Sequence, residues 1–193
     1  MERPTGGQGG AGSNFDVVRT PEKAACGEAL DSLLASGRRR VAFIGQHSDL
    51  IAGPDPGERL AAYHEALARH GVTGDERLVL PGADDRSDSY WAVTGLLQPQ
   101  EPPDAIFCTT DRSAVSAIWA VRDEGLSVPH DVAVLGVGNL KEGLITRPAL
   151  STVGQPHLDF TEVVGLLFDR LAAEPPEGRE LVLPWTFVRR GSI

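Results

Sequence analysis

The chain has 193 residues, with 18 basic and 27 acidic side chains and a formal net charge of −9. A content of 41% apolar and 23% charged residues with two cysteines is that of a globular domain and excludes whole-chain disorder and a disulfide scaffold. A chain this acidic is a poor candidate for gripping a phosphate backbone by itself, and no direct DNA contact is expected.

The first 19 residues read as a disordered tail. Five glycines fall within residues 1–13, without apolar periodicity. They lack the apolar core of an export signal, so the cytoplasm is the default location. No run approaches the ~18 apolar residues of a membrane span, and no membrane partner is expected. Thr20-Pro21-Glu22 starts a helix, with Cys26, Ala29, Leu30, Leu33 and Leu34 at helical spacing and Gly37 as its stop. The continuous apolar run Val41–Ile44 suits a strand buried on both faces. A helix is predicted over 57–70 with Leu60, Tyr63 and Leu67 on one side, then a strand over 78–80. The next helix starts near Ser87 and carries Tyr90, Val93 and Leu97. A strand at 105–107 and a helix with Ala114, Ile118 and Val121 follow. The strongest strand spans 132–137. Leu150–Val153, a helix over 157–172 and an extended segment from Leu181 to Val188 complete the chain.

Strands alternating with helices of this length define an α/β fold with a mainly parallel, doubly wound sheet in three αβα layers. Ligands of such sheets bind beyond the carboxyl ends of the strands. That places His47, Ser48 and Asp49 after the first strand and Gly82 to Asp85 after the second. Thr109, Thr110 and Asp111 follow the third, Gly138 and Asn139 the fourth, and Gln155 the fifth.

Most chemical motifs are missing. There is no phosphate loop, no Gly-x-Ser-x-Gly elbow, and no helix opening after Gly136-Val137-Gly138-Asn139 to make a dinucleotide site. His47 and Asp49 lack a third metal ligand, so neither metal nor cofactor is expected. Asp84, Asp85 and Asp88 suit helix capping. Arg38-Arg39-Arg40 reads as a solvated turn at a helix C-terminus. Cys108 reads as a small buried hydrophobe. Arg59 suits either ligand capture or a surface ion pair. Tyr90 is equally open to packing or ligand stacking, while Trp119 suits packing or an interface.

Three stretches together carry a resemblance. They are RRVAFI (39–44) with RLAAYHEAL (59–67), PPDAIFCTTD (102–111) with GLSVPHDVAVLGVGN (125–139), and RPALSTVGQP (147–156) with LVLPWTFVRRGS (181–192). The ordered series resembles the effector-binding core of the LacI/GalR family of transcription regulators, whose fold is that of type I periplasmic binding proteins. The resemblance implies two lobes around a cleft for a small effector, usually a sugar or nucleobase. It implies effector contacts by Arg59, Tyr90, Thr110, Asp111 and Gln155. Asn139 and His47 join that set from the strand-end reading. Two departures stand out. Gly138 replaces the family's sugar-gripping aspartate, and Ala62 replaces a glycine.

The same resemblance predicts one complete lobe over 41–153, with 20–40 and 154–193 as remnants of a second lobe, and no helix-turn-helix headpiece. The remnants' apolar faces, Leu30/Leu33/Leu34 and Val164/Leu167/Leu171, would then lack cover, which predicts a homodimer. The leading expectation is a sugar-sensing lobe that catalyses nothing. The alternatives are a solute-binding protein for uptake, a dimerisation module, or a repurposed enzyme using Asp111, His47 or His157 as acid or base.

Overall fold

The computed structural model describes residues 15–50, 57–98, 100–157, 159–172 and 177–193. They fall into two compact units, one formed by Glu22–Pro156 with Trp185–Ile193, the other by residues 15–21 with 157–184. In chain order the elements begin with β1 (Val17–Arg19), α1 (Glu22–Ala35), β2 (Val41–Gly45), α2 (His47–Leu50) and α3 (Glu58–Arg69). Next come β3 (Val79–Pro81), α4 (Arg86–Leu97), β4 (Ala105–Cys108), α5 (Asp111–Asp123) and β5 (Ala133–Val137). The chain closes with α6 (Glu142–Ile145), β6 (Ser151–Gly154), α7 (Thr161–Ala172), β7 (Glu180–Val182) and β8 (Thr186–Val188).

The larger unit is built on a six-stranded sheet in the order β3-β2-β4-β5-β6-β8. Every pairing is parallel except that of β8 with β6. Side chains alternate across each strand. Val41 and Phe43 therefore enter one core layer and Ala42 and Ile44 the other. On the first face Leu30, Leu33 and Leu34 of α1 and Tyr63 and Leu67 of α3 pack over Phe43, Phe107 and Leu135. The Phe43 ring lies 5.3 Å from Tyr63 and 5.6 Å from Phe107. The second face carries Val93 of α4 and Ile118 and Val121 of α5 over Ile44, Ile106 and Val134. The two cysteines are free, Cys26 in the first layer and Cys108 in the second. Burial pushes each thiol up to about 12.

This packing corrects the expected boundaries. Leu30, Leu33 and Leu34 are fully buried, so α1 has its partner within the lobe, against α3, β6 and β8. The lobe extends beyond 41–153 to include α1 and the segment from Trp185 to Ile193. Near the end of that segment the Ser192 hydroxyl donates to the Val134 carbonyl at 2.6 Å and accepts from the Ser151 N–H at 2.8 Å.

The arginine run is a set of anchors rather than a solvated turn. The Arg38 guanidinium donates to the carbonyls of Asp104, Pro129, His130 and Asp131 at 2.5–3.2 Å. Arg39 caps the end of α1 at the Leu34 carbonyl, 2.9 Å away. Arg40 pairs with Asp75 at 3.1 Å. These bonds join the segments that enter β2, β4 and β5 at the amino-terminal ends of these neighbouring strands.

In the smaller unit β1 pairs in parallel with β7, so part of the expected tail is a strand over Val17–Arg19. Residues 1–14 of that expected tail lie outside the described residues. Asp16 holds Arg170 at 2.9 Å and Arg179 at 3.0 Å. Hydrogen bonds from Arg179 and Arg170 keep its carboxyl well below the usual range. No residue of α7 is buried, and Val164, Leu167 and Leu171 are exposed. The extended segment 181–188 is split, since β7 belongs to this unit and β8 to the larger sheet.

Replacing Arg38 by alanine leaves several carbonyls without their charged donor. It should lower stability by about 2 kcal/mol and the melting temperature by roughly 4–8 °C, read by thermal denaturation. Asp16 has a depressed native pKa. The stability it adds is therefore present above the unfolded value near 3.8 and is lost as pH falls towards the lower native value. Protection of the α7 and β7 amides relative to their intrinsic exchange rates should fall below about pH 4, and Asp16→Asn should lower that protection at neutral pH.

Candidate functional site

The carboxyl ends of β2, β3 and β4 open onto a pocket of about 440 Å³ lined by Gln46, Ala83, Asp84, Asp85, Arg86, Thr110, Arg112 and Glu142. Helix caps shape its walls. The Asp85 carboxylate accepts the N–H groups of Ser87 and Asp88 at 2.7 and 3.3 Å and starts α4. The Thr110 hydroxyl accepts the Ser113 N–H at 3.2 Å and starts α5. The Ser87 hydroxyl and the N–H groups at the start of α4 hold the Asp85 carboxyl below its usual range. Asp84 accepts the backbone N–H of His47 at 2.7 Å, tying the β2 end to the β3 end. Arg86 reaches Glu142 at 3.3 Å, linking the start of α4 to α6. Arg112, in the first turn of α5, has no ion-pair partner among the described residues. The pocket thus offers a hydroxyl, an amide, carboxylates and guanidinium groups beyond the strand ends.

Beside the pocket lies a buried polar node. Asp111 is almost completely buried. Its carboxylate accepts the Leu140 N–H at 2.6 Å and the Thr152 hydroxyl at 2.5 Å. Burial outweighs these donors and pushes its pKa up. A Cβ at Gly136 would collide with the same carboxylate, so glycine there makes room for the buried acid. Asn139, at a left-handed φ of 51°, donates to the Gln155 carbonyl at 2.7 Å and accepts from Arg190 at 2.5 Å. Gly138 has φ 130°, a conformation an aspartate adopts only under strain.

The expected site residues therefore separate. Thr110 lines the pocket, and His47 adjoins it through its backbone bond to Asp84. Asp111 and Asn139 spend their polar groups on the fold. Gln155 is buried just after β6, outside the pocket lining. Arg59 is held by Glu22 at 2.9 Å, the Thr109 carbonyl at 3.0 Å and Gln46 at 3.3 Å, so it braces α1, α3 and the β4 end. Tyr90 is the clearest departure. Its hydroxyl donates to Asp123 at 2.9 Å, at the far end of α5 and about 18 Å along the helix from Asp111. Gln46, Arg86, Arg112 and Glu142 escaped the sequence reading. Extending the strand-end rule one helical turn into each following helix would have reached Arg86, Arg112 and Glu142.

The architecture is that of a periplasmic-binding-protein-like α/β lobe with a polar strand-end pocket. Residues 30–193 match the periplasmic binding protein-like domain, and the chain belongs to that family in the form carried by LacI-type transcription regulators. It is 35% identical over 157 residues to the HTH-type transcriptional regulator CelR of Thermobifida fusca, covering 81% of this chain and 45% of that protein. It is 30% identical to the repressor PurR of Erwinia tasmaniensis, covering 83% and 47%. The chain spans about half the length of these curated relatives, which are transcription regulators and not enzymes. Among solved structures, a LacI-family regulator from Sanguibacter keddieii superposes with TM-score 0.80 at 33% identity, covering 92% of this chain and 66% of that one. A CelR–cellobiose complex does so with TM-score 0.78 at 30% identity, covering 93% and 54%. Among the described residues no helix is long and apolar enough to cross a membrane, and no group of three metal-ligating side chains occurs.

Asp111→Ala should leave the Leu140 N–H and Thr152 hydroxyl without their acceptor. A loss of about 2–3 kcal/mol in urea denaturation is expected.

Proposed function

We infer that this chain is the effector-sensing lobe of a LacI-type regulator and binds a small polar molecule, such as a sugar, in the strand-end pocket. The observation that carries this reading is the pocket itself, walled by side chains that can donate to and accept from hydroxyl groups. Thr110, Gln46 and Asp84 supply neutral and anionic partners, and Arg112 supplies donors that no carboxylate among the described residues occupies. The solved complex of the relative CelR with cellobiose supports the same ligand class. The mechanism is a population shift, in which a ligand favours the arrangement of α4, α5 and α6 that closes on it. Gly138 removes one acid from the expected sugar grip, so affinity should be modest. The protein acts in the cytoplasm without a cofactor, and DNA contact is left to other polypeptide segments.

Thermal shift and calorimetry with cellobiose, glucose and a purine base test this reading. One class should raise the melting temperature by several degrees at about a hundred times its Kd. Arg112→Ala should weaken that ligand about tenfold without lowering the unliganded melting temperature. Thr110→Val should weaken it similarly, and should also cost about 1 kcal/mol of stability through the lost helix cap. Equal affinity of the wild type and both variants would remove the pocket from the proposal.

A further inference from the structure

A second cavity lies at the opposite end of the sheet from the strand-end pocket. It encloses about 130 Å³ at the amino-terminal end of β2, between α3 and the segment that leads into β3. Its lining begins at Val41 and that of the strand-end pocket at Gln46, so about 17 Å of strand separates the two. The inner wall is apolar. Val41, Tyr63, Leu67 and Leu78 line it, and all are buried. The Tyr63 hydroxyl donates to the Val41 carbonyl at 2.8 Å, so the polar tip of the ring is already engaged. The charged groups among the described lining residues are Arg39, Arg40 and Asp75. Asp75 is spent on other partners: it accepts from the Arg77 guanidinium at 2.8 and 2.9 Å and from Arg40 at 3.1 Å. Arg39 is exposed, and its guanidinium donates to the carbonyls of Leu34 and Arg38 through Nη1 at 2.9 and 2.7 Å. Among the described residues no carboxylate pairs with that guanidinium.

We propose that this cavity is a second small-molecule site, separate from the strand-end pocket, and that it takes a short-chain monocarboxylate. Three features select that class. The volume is that of roughly four water molecules, enough for a few carbons and a carboxylate and too little for a disaccharide. The apolar wall accepts a hydrocarbon and disfavours a polyol, whose hydroxyls would leave water without finding partners. The rim sets a planar cation with open donors beside that wall, and a guanidinium of this kind takes a carboxylate through parallel hydrogen bonds. The locking of Asp75 matters too. Its charge is shared between Arg77 and Arg40, so it does not cancel Arg39. A bound carboxylate joins the end of α1, where Arg39 sits, to α3 and the segment before β3.

Nuclear magnetic resonance titration of the full chain with butyrate, with butanol as its uncharged counterpart and with inorganic phosphate tests the proposal, at about pH 7 where butyrate is ionised. Butyrate should shift the Leu67, Val72 and Thr73 amides saturably, with an affinity at least about tenfold above that of butanol. Phosphate, a charge without an apolar body, should leave these amides unmoved. Arg39→Gln, which keeps a donor for the Leu34 carbonyl, should erase the preference for butyrate over butanol. Val72→Phe, which fills the cavity, should abolish binding of both, with circular dichroism as the folding control. Arg112→Ala in the strand-end pocket should leave butyrate binding unchanged. Absence of saturable shifts, equal affinity for butyrate and butanol, or phosphate acting on the same amides as strongly as butyrate would overturn the proposal. So would butyrate binding that withstands both Arg39→Gln and Val72→Phe, or that is lost on Arg112→Ala, since the last result places the ligand in the other pocket.

Discussion

Burial of the Asp111 carboxylate is the constraint around which the strand ends of this lobe are arranged. A carboxylate taken out of water is stable only where donors replace its solvation. Here the donors come from two other segments, Leu140 after β5 and Thr152 in β6. Meeting that demand draws the β5–α6 loop against the start of α5. Glu142, two residues beyond Leu140, then stands where it can meet Arg86 of α4. The pocket wall is therefore a by-product of solvating a buried acid. Gly136 is small because the acid occupies its space, and Gly138 is free of a side chain where the backbone turns to reach the acid.

This arrangement separates two kinds of polar residue that look alike in sequence. Thr110 and Asp111 are neighbours after the same strand. Thr110 faces the pocket, while Asp111 turns into the interior and serves the fold. Arg59 shows the same division. Its planar fork suits a ligand, but Glu22 and the Thr109 carbonyl fill it. The pocket is lined as well by Arg86, Arg112 and Glu142, in the first turns of the helices that follow the strands.

Much of the architecture is legible in the sequence because periodicity reports burial directly. The parallel strands Val41–Gly45, Ala105–Cys108 and Ala133–Val137 are apolar runs because helices cover both of their faces. Three of the short elements are not legible. β1, α2 and α6 have only three or four residues, too few to establish a period. The placement of α1 escapes for a different reason: an apolar helix face shows that a partner exists but not which sheet supplies it. Tyr90 departs from its expected place because helical register gives a face and not a height along the helix. Arg38 anchors the fold unannounced because backbone carbonyls, its actual partners, carry no mark in the sequence.

The two cysteines give the layered core a chemical readout. Cys26 lies under the helices of one face and Cys108 under those of the other. Each is shut away from solvent and poorly ionised, so a thiol reagent reaches it only when its own layer opens. Labelling rates at the two native sulfurs therefore time the opening of each side of the sheet separately, with no cysteine introduced.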